Sequence, residues 1–437
     1  MNYTEALGYT TSLVKFGIQL GLERFQELLR RVGSPHTAFR AVHVAGTNGK
    51  GSTTTLIAAV LREAGYRTAC YLSPHLFDFR ERIQIDGVPI PPEAFARQVA
   101  RLKPEIEALA QDPRYGQTTE FELITAAAFG YFAEQKVDVA VLEVGLGGRL
   151  DATNVIPPPL VAVITSIGFD HQEVLGHSLR QIAREKAGIL KPGVPVVTGV
   201  TQPEALQAIE ETAHGLGCTL HTVAKAAPAY ARYTTDASGL SLWWPGRPLR
   251  GLRLALRGPF QQANAAVAAT ALRILAEQGL AIPEEVLRRG LEQARLPGRF
   301  QVLRLGPPPR VLVLDVAHNQ DGARALAEAL KATFPERKGL FVVGMKANHD
   351  PVEFLPPLRD RIDRLWVSQP RHSPRPVEEL LAVARGLGLE VEALPDIPQA
   401  LARALAQAEP EQPVVLTGSL LTVGELPEPY RSLAMAG

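Results

Sequence analysis

Ala41-Val-His-Val-Ala-Gly-Thr-Asn-Gly-Lys-Gly-Ser-Thr53 is the stretch around which the rest of the chain is predicted to be organised. It begins with a short apolar run, residues 41–45, whose valines favour a buried β-strand. Three glycines then allow backbone conformations that are closed to other residues. The run from Ser52 to Ala64 has the apolar spacing of a helix, and Gly65 is a helix stop. The sequence therefore predicts a strand, a glycine turn and a helix in direct succession.

This succession is typical of a phosphate-binding loop. Free N–H groups and the helix dipole favour an anion, and Lys50 adds a positive charge. The Ser52 hydroxyl is placed where a nucleotide-bound Mg²⁺ needs an oxygen ligand. The loop departs from the standard G-x-x-x-x-G-K-[ST] pattern, and a glycine turn that only starts a helix is the alternative. We predict an ATP site. Its residues in this loop are Gly46, Thr47, Asn48, Gly49, Lys50, Gly51 and Ser52.

Length and composition set bounds on the class of protein. A chain of 437 residues is long enough for two or three domains, and 46% hydrophobic with 21% charged residues is ordinary for a soluble protein. The net charge of +1 gives no basic field, so we expect no nucleic-acid partner. No apolar run is long enough to span a bilayer, so we expect no membrane association. The absence of a signal-peptide pattern and the presence of only two cysteines predict a cytoplasmic location.

Several polar residues directly follow predicted strands. Ligands of open α/β sheets bind beyond the carboxyl ends of the strands, so Ser73 and His75, after the strand 68–72, are candidate substrate contacts. A simple Ser-Pro turn explains Ser73 equally well. Glu143 ends the apolar strand 137–143, where phosphate-binding folds place an acid that holds Mg²⁺. His171 follows the strand 160–164 and is either a third ligand at the same edge or a structural histidine.

The second half of the chain changes character twice. Short β-like runs at 240–244 and 252–256 predict a small antiparallel edge. Residues 296–300 then form a predicted hinge, after which strands and helices alternate again. We therefore predict two domains, 1–296 and 297–437. The predicted fold class is α/β: an N-terminal P-loop ATPase-type domain with a mostly parallel sheet and a small antiparallel edge, and a smaller C-terminal Rossmann-like domain.

The motif Asp315-Val-Ala-His-Asn319 ends the first strand of the predicted second domain. Asp315 is a candidate hydrogen-bond acceptor for a ribose, and His318 is a candidate phosphate contact. The alternative is a helix N-cap formed by Asn319 or Asp321. That alternative explains one of these polar residues but not all of them.

With these motifs in hand, the sequence resembles the folylpolyglutamate synthase/dihydrofolate synthase family of the Mur ligase superfamily over nearly its whole length. No single motif decides this, but their order does. The segments that carry the resemblance are HVAGTNGKGST from His43, SPHL from Ser73, LEVGLGGRLDATNV from Leu142, TSIGFDHQEVLG from Thr165, IAREKAGILKPG from Ile182, PGRF from Pro297, DVAHN from Asp315 and GSLLTVGE from Gly418.

The resemblance implies an ATP-dependent amide ligase. ATP phosphorylates a carboxylate of the folate substrate, and the amine of L-glutamate then attacks the acyl phosphate and releases phosphate. It further implies two Mg²⁺ sites, with a monovalent cation as a further possibility. The metal ligands are expected to be Ser52, Glu143, His171 and Lys186, the last as a lysine carbamylated by CO₂.

The other implied roles follow residue by residue. Catalysis is expected to depend on Lys50, His171, Lys186 and His318. Asn264 resembles the adenine contact, Arg299 a phosphate contact and Asp315 the ribose contact. The substrate contacts are expected to be Ser73, His75, Arg82, Asp151 and Ala152.

Other functions are compatible with parts of the sequence. A peptidoglycan Mur ligase or cyanophycin-type enzyme is a rival within the ligases, although Gly51 and the SPHL segment favour the folate branch. A nucleotide-driven switch is a rival of a different class, but this sequence contains no Asn-Lys-x-Asp segment to read guanine. A non-catalytic binding protein would need to lack Lys50, Glu143 or His171, and all three are present. We expect a monomer whose partners are ATP, L-glutamate and a folate or dihydropteroate. We favour a bifunctional enzyme over a folylpolyglutamate synthase alone.

Overall fold

The computed structural model describes residues 1–17, 21–236 and 238–436, without the side chain of Arg247. The chain forms two compact units. The first consists of Met1–Leu254 together with Ala263–Ala294. The second consists of Ala255–Gln262 together with the chain from Arg295 onward. Residues 255–262 therefore belong to the second unit, although residues 263–294, which follow them, belong to the first. The predicted division into 1–296 and 297–437 does not include this early segment.

One mixed sheet runs through the described part of the first unit, in the order β11-β10-β9-β8-β7-β6-β1-β5-β2-β3-β4. The strands from β9 to β2 in this order are parallel. At the two ends of the sheet, β9, β10 and β11 pair antiparallel, and so do β2, β3 and β4. Its strands are β1 Arg40–Ala45, β2 Thr68–Tyr71, β3 Ile83–Ile85, β4 Val88–Pro89, β5 Val139–Glu143, β6 Val161–Ile164, β7 Val196–Thr198, β8 Leu220–Ala224, β9 Ala231–Asp236, β10 Gly239–Trp244 and β11 Arg247–Leu252.

α-Helices form most of the crossover connections between the parallel strands, as is usual for such connections. The connection from β5 to β6 contains a 3₁₀ helix instead, and β8 leads to β9 without a helix. The α-helices are α1 Tyr3–Ser12, α2 Glu23–Arg31, α3 Lys50–Glu63, α4 Pro92–Ala110, α5 Glu120–Glu134, α6 Gln172–Leu175, α7 Leu179–Ala187, α8 Pro203–Gly215, α9 Pro259–Glu277 and α10 Glu284–Gln293. Short 3₁₀ helices cover Leu13–Phe16, Pro35–Thr37, Phe79–Arg82 and Ala152–Val155.

Strand β1 lies between β5 and β6, within the parallel part of this sheet. It pairs in parallel with β5 on one side, where Val44 lies opposite Glu143, and with β6 on the other, where Ala45 lies opposite Ile164. All three strands are almost wholly buried, so their apolar residues fix the register. The loops that follow β1, β5 and β6 therefore leave the sheet side by side, which confirms the predicted parallel arrangement.

The antiparallel edge is present, but the prediction of its last strand was wrong. The residues from Arg247 to Leu252 pair with β10, rather than the predicted run 252–256. Pro248 within this segment is unfavourable in the interior of a sheet, because proline cannot donate to a sheet ladder. In the structure β11 is the outermost strand of the sheet, where a proline is tolerated.

A buried ion pair joins the N-terminal helices to α5. Thr119 and Glu122 form a capping box at the start of α5. The Glu122 carboxylate also accepts two hydrogen bonds from Arg24 Nε, at 3.1 and 3.0 Å, and one from Arg24 Nη2 at 2.9 Å. Both side chains are nearly inaccessible to solvent, at 10% and 6% exposure. Each charge is therefore solvated mainly by the other.

We expect Glu122→Gln to lower the free energy of unfolding by about 3–5 kcal/mol, because it leaves the Arg24 charge buried without a matching carboxylate. The Arg304–Glu411 pair is the surface control, since its side chains are 69% and 49% exposed. Glu411→Gln should cost at most about 1 kcal/mol. Urea unfolding of both variants measures the difference, and equal losses would contradict the assignment.

The second unit contains a sheet in the order β12-β13-β17-β14-β15-β16 within the described residues. Of the strand pairs that the structure describes here, β12–β13 is antiparallel, and β13–β17, β17–β14, β14–β15 and β15–β16 are parallel. Its strands are β12 Gln301–Leu305, β13 Arg310–Leu314, β14 Gly339–Val343, β15 Ile362–Val367, β16 Val391–Ala393 and β17 Pro413–Thr417. Its helices are α11 Gln320–Thr333, α12 Pro351–Phe354, α13 Val377–Gly386, α14 Ile397–Gln407, α15 Leu420–Gly424, α16 Tyr430–Ala436 and the 3₁₀ helix Pro356–Arg361.

The early segment 255–262 completes the apolar core of this second unit. Phe260 packs against the cluster of buried side chains that includes Phe300, Leu326 and Ala329. This core belongs to a unit whose parallel strands carry helices, as the predicted smaller α/β domain requires.

None of the helices in the described parts of the chain is both long enough and apolar enough to cross a membrane.

Candidate active site

The glycine turn after β1 leads directly into α3, as predicted. Gly49 is the N-cap residue and has φ +85°, a left-handed conformation that favours glycine. A Cβ atom at this position would run into the Asn264 side chain and lie 3.1 Å from its Cγ atom. Glycine is therefore required here for two reasons, and Asn264, the predicted adenine contact, lies directly against the turn.

The segment after β6 holds this turn in place. The Thr47 hydroxyl donates to Gly168 O at 3.1 Å, and the Gly168 N–H donates to the same hydroxyl at 3.0 Å. Ser166 Oγ accepts from Asn48 N at 3.1 Å and lies 2.9 Å from Asn48 O, to which Thr165 Oγ1 also donates at 2.7 Å. The polar residues of TSIG thus fix the backbone of the predicted phosphate loop, a role that sequence reasoning missed.

Two lysines converge on one carbonyl oxygen of the loop. Lys50 Nζ donates to Gly46 O and to Thr47 O, each at 3.0 Å, and Lys186 Nζ donates to Gly46 O at 2.9 Å. Lys186 is 4% exposed. Burial, reinforced by the Lys50 charge, lowers the pKa of Lys186 to about 7. The structure therefore brings together two of the predicted catalytic residues that lie far apart in sequence.

Glu143 lies opposite the first turn of α3. Its buried carboxylate accepts a hydrogen bond from the Ser73 N–H at 2.9 Å. A Cβ atom built on Gly51 would lie 3.5 and 3.6 Å from its two oxygens. The next residue, Ser52, is buried too. A carboxylate facing a turn that carries a hydroxyl supplies hard oxygen donors, so these residues fit the predicted Mg²⁺.

The described residues contain no group of three or more His, Cys, Asp or Glu side chains arranged to hold a metal ion. Mg²⁺ is commonly held by one or two carboxylates together with substrate phosphates. His171 is the N-cap of α6 and has φ +48°. Its ring is 40% exposed and lies 3.8 Å from Asp170 and 3.7 Å from Glu173. Its role as a metal ligand stays a prediction.

The predicted substrate segment after β2 is a tightly bonded loop. The Glu81 carboxylate accepts from the N–H groups of Leu76, Phe77 and Asp78 at 2.8, 2.9 and 2.7 Å. Together with the Ser73 N–H bond to Glu143, this carboxylate keeps the whole loop at the carboxyl edge of the sheet. His75 and Arg82, both predicted substrate contacts, lie within it and contact each other.

In the loop after β5, the carboxylate of Asp151 is buried and hydrogen-bonded within the loop. Asp151 accepts from the Leu146 N–H at 2.9 Å and from the Thr153 N–H at 3.0 Å, and the Thr153 hydroxyl donates to it as well. Asp151 and Ala152 are each 6% exposed. Burial raises the pKa of the Asp151 carboxyl. Asp151 thus shapes the loop through its own hydrogen bonds, while its predicted contact with substrate stays a prediction.

A buried histidine of β1 contacts the loop after β5 through Thr153. His43 is fully buried, and its Nε2 lies 2.8 Å from Thr153 Oγ1. Burial lowers the pKa of His43 to about 3, so it is neutral. Sequence reasoning did not assign His43 a role, because nothing local connects it with a residue in the loop after β5.

In the second unit, Asp315 follows β13 and is 5% exposed. Its carboxylate accepts from the Phe300 N–H and the Ala317 N–H, at 2.8 and 2.9 Å. Burial raises the pKa of Asp315 to about 6, although the nearby Arg299 charge opposes this. Arg299 and Asp315, both predicted nucleotide contacts, therefore lie close enough to interact.

We expect Asp315 to lower the free energy of unfolding as the pH rises from about 4 to about 6. Its pKa is raised in the folded state, so the folded state binds more protons than the unfolded state in this interval and loses stability with rising pH. The stability of the wild type relative to Asp315→Asn should therefore fall by roughly 2–3 kcal/mol over this range. Urea unfolding of both proteins at pH 4, 5, 6 and 7 tests this, and parallel curves would contradict it.

His318 and Asn319 make different contacts. The Asn319 side chain accepts from the Gly322 N–H at 2.8 Å and caps α11, which confirms the N-cap alternative for this residue alone. His318 Nδ1 lies 2.9 Å from Val316 O, and its ring stacks on His349 with centroids 4.7 Å apart. His349 was not predicted, because it follows a different strand of this sheet.

Comparison with known families and structures gives a consistent result. The family model described as the Mur ligase middle domain matches residues 44–272. The model described as Mur ligase, glutamate ligase domain matches residues 298–420. Together these two matches include the phosphate loop, Glu143, Lys186, Asp315 and His318.

Curated relatives and solved structures extend over most of the chain. A dihydrofolate synthase/folylpolyglutamate synthase of Bacillus subtilis is 44% identical over 76% of this chain and 77% of its own. The Escherichia coli protein of the same name is 36% identical over 97% and 94%. The structure of E. coli FolC in complex with DHPP and ADP has a TM-score of 0.86 at 32% identity, covering 100% of this chain and 98% of that one. A bifunctional synthase of Yersinia pestis complexed with AMPPNP and Mn has a TM-score of 0.85 at 32% identity, with coverage of 100% and 98%.

Proposed function

Because the chain belongs to the folylpolyglutamate synthase/dihydrofolate synthase family of Mur ligases, we propose that it joins L-glutamate to reduced folates and to dihydropteroate at the expense of ATP. The chain is an ATP-dependent ligase. The observation that carries the proposal is the convergence of Lys50, Lys186 and the helix α3 N-terminus on one loop, opposite the Glu143 carboxylate.

The chemistry needs an activated carboxylate, because a free carboxylate is a poor acylating agent. The γ-phosphoryl group of ATP is transferred to a carboxylate oxygen of the folate or dihydropteroate, which gives an acyl phosphate and ADP. The amine of L-glutamate attacks the carbonyl carbon, the amide bond forms, and inorganic phosphate leaves. Lys50 and the N–H groups of the loop would stabilise the negative charge on the transferred phosphoryl group.

Mg²⁺ fits this site, and Ser52 with Glu143 would hold it. Such an ion, when bound, lowers the negative charge on the β- and γ-phosphate oxygens. His171, the second ion and a monovalent cation remain part of the proposal. Asn264 would contact the adenine, Asp315 the ribose and Arg299 with His318 the phosphates. We further propose that the ligase acts as a monomer.

We also propose that Lys186 is carbamylated. Its amine is buried and has its pKa lowered to about 7, so a large fraction of it is neutral at physiological pH. A neutral amine can attack the carbon of CO₂ and release a proton, which gives a carbamate anion. The repulsion between Lys50 and Lys186 would then become an attraction, which supports the modification.

Activity should therefore depend on dissolved CO₂. We expect enzyme equilibrated in CO₂-free buffer to lose roughly tenfold or more of its turnover and to regain it on addition of bicarbonate. Short-chain carboxylic acids should partly rescue Lys186→Ala by supplying the missing anion. Turnover in CO₂-free buffer equal to that in bicarbonate, with no loss in Lys186→Ala, would exclude the carbamate.

The substrate proposal is tested by phosphate release in the presence of ATP, Mg²⁺ and L-glutamate. Turnover with both dihydropteroate and reduced monoglutamyl folate establishes a bifunctional synthase. Turnover with the folate alone establishes a folylpolyglutamate synthase, and turnover with neither overturns the proposal and favours a Mur-type peptidoglycan ligase.

A further inference from the structure

The loop after β2 contains a contact between a histidine and an arginine that has a definite chemical consequence. Arg82 Nε donates a hydrogen bond to His75 Nδ1, at 3.0 Å. An arginine side chain has only donors and stays protonated in proteins. His75 Nδ1 must therefore carry a lone pair rather than a proton, and the neutral ring must carry its proton on Nε2.

The surroundings hold both groups in this geometry. The Arg82 guanidinium lies 5.0 Å from the centroid of the Phe79 ring, and the His75 ring packs against the same ring at 5.3 Å and 57°. Phe79 is buried. The backbone of Arg82 is fixed as well, because its carbonyl accepts from the Leu72 N–H at 3.0 Å. The Phe79 ring and the Leu72 N–H, directly after β2, thus hold the imidazole and the guanidinium in place.

Burial and the Arg82 charge keep His75 neutral. Burial and the adjacent Arg82 charge lower its pKa to about 4, although Asp78 acts in the opposite direction. Within the described part of the chain, the bond to Arg82 is the hydrogen bond that the ring makes, so Nε2–H is left for another acceptor. The loop that carries His75 is bonded to Glu143 through Ser73. The loop that carries the His75 Nε2–H donor therefore lies at the same sheet edge as the proposed reaction site.

We propose that Arg82 is a positioning residue that fixes His75 as the neutral Nε2–H tautomer, and that this N–H donates to an uncharged carbonyl or ring-nitrogen acceptor in the pteroyl part of the substrate. The second half of this inference rests on the proposed function. A neutral donor discriminates in favour of an uncharged acceptor and gives no ion pair with a carboxylate. Dihydropteroate and folates share the pteroyl part, so His75 should serve both substrates equally.

The tautomer is measured on the free enzyme, independently of any activity. We would label the ten histidines with ¹⁵N, record long-range ¹H–¹⁵N correlations between pH 5.5 and 8, and identify His75 from the spectrum of His75→Gln. The expected result is an Nε2–H pattern that does not change with pH. In Arg82→Met the pattern should become that of two exchanging tautomers, because the donor that keeps Nδ1 unprotonated is gone. A charged ring, an Nδ1–H pattern in the wild type, or no change in Arg82→Met would overturn the proposal.

The substrate contact is measured by kinetics. Gln places an amide N–H₂ near the position of Nε2, whereas the shorter Asn places it near Nδ1. His75→Asn should raise KM for dihydropteroate and for monoglutamyl folate by the same factor, roughly three- to tenfold, with KM for ATP unchanged. His75→Gln should restore most of the loss. Unequal factors, or unchanged KM values in His75→Asn, would overturn the substrate contact.

These two measurements fail separately. If no substrate turns over, the proposed function fails while the ¹⁵N spectrum still decides the tautomer. If turnover occurs and the spectrum shows Nδ1–H, the inference fails and the proposed function stands.

Discussion

Lys50→Ala is expected to lower kcat for ligation by about a thousandfold or more. Lys50 is the first residue of α3, and its ammonium group donates a hydrogen bond to the loop that would bind the transferred phosphoryl group. Removing one preorganised charge donor from a phosphoryl-transfer site typically costs two to five orders of magnitude in rate. Phosphate release under saturating ATP and folate measures the effect.

The loss cannot be attributed to unfolding if the variant stays folded under the assay conditions. Lys50→Ala removes two hydrogen bonds, from Lys50 Nζ to Gly46 O and to Thr47 O, so the urea midpoint should fall by no more than these two bonds contribute. Lys331→Ala, on the exposed face of α11, is the control for loss of one positive charge and should retain full activity. Full activity in Lys50→Ala would show that the loop does not bind the triphosphate.

Glu143→Gln is expected to lower kcat by about a hundredfold to a thousandfold and to raise the Mg²⁺ concentration needed for half-maximal activity. The amide oxygen of glutamine can still accept the Ser73 N–H, so the loop after β2 stays attached. What is lost is the negative charge that faces the first turn of α3.

Glu143→Ala separates the two tasks of this carboxylate. It removes the charge and also the acceptor of the Ser73 N–H, so it should raise KM for the folate in addition to lowering kcat. Glu328→Gln, on the exposed surface of the second unit, controls for a change of one charge. If Glu143→Gln kept normal activity and normal Mg²⁺ dependence, Glu143 would be a structural residue.

Local patterns predicted much of the fold because the decisive information was local. The strand–turn–helix around Lys50, the capping box of Thr119 and Glu122, and the carboxylate at the end of β5 each occupy a few neighbouring residues. The strand β11 was missed because its proline is acceptable only at an edge, and edge positions depend on the whole sheet.

The candidate site was predictable as a set of residues but not as a set of contacts. Lys186 and the Gly46 carbonyl are 140 residues apart in sequence, and His43 and Thr153 are 110 apart. No periodicity connects such pairs. For the same reason Asp151 was predicted as a substrate contact without any indication that three hydrogen bonds within its own loop engage its carboxylate.

The segment 255–262 has a practical consequence for dividing this protein. A fragment expressed from Arg295 to the end would leave behind Phe260, which packs against the core of the second unit. Such a fragment would expose apolar surface and tend to aggregate. A soluble C-terminal fragment would therefore need residues 255–262 fused through a linker to its new N-terminus. A protease cut at the junction near residue 295 would nick the chain without releasing all of the second unit.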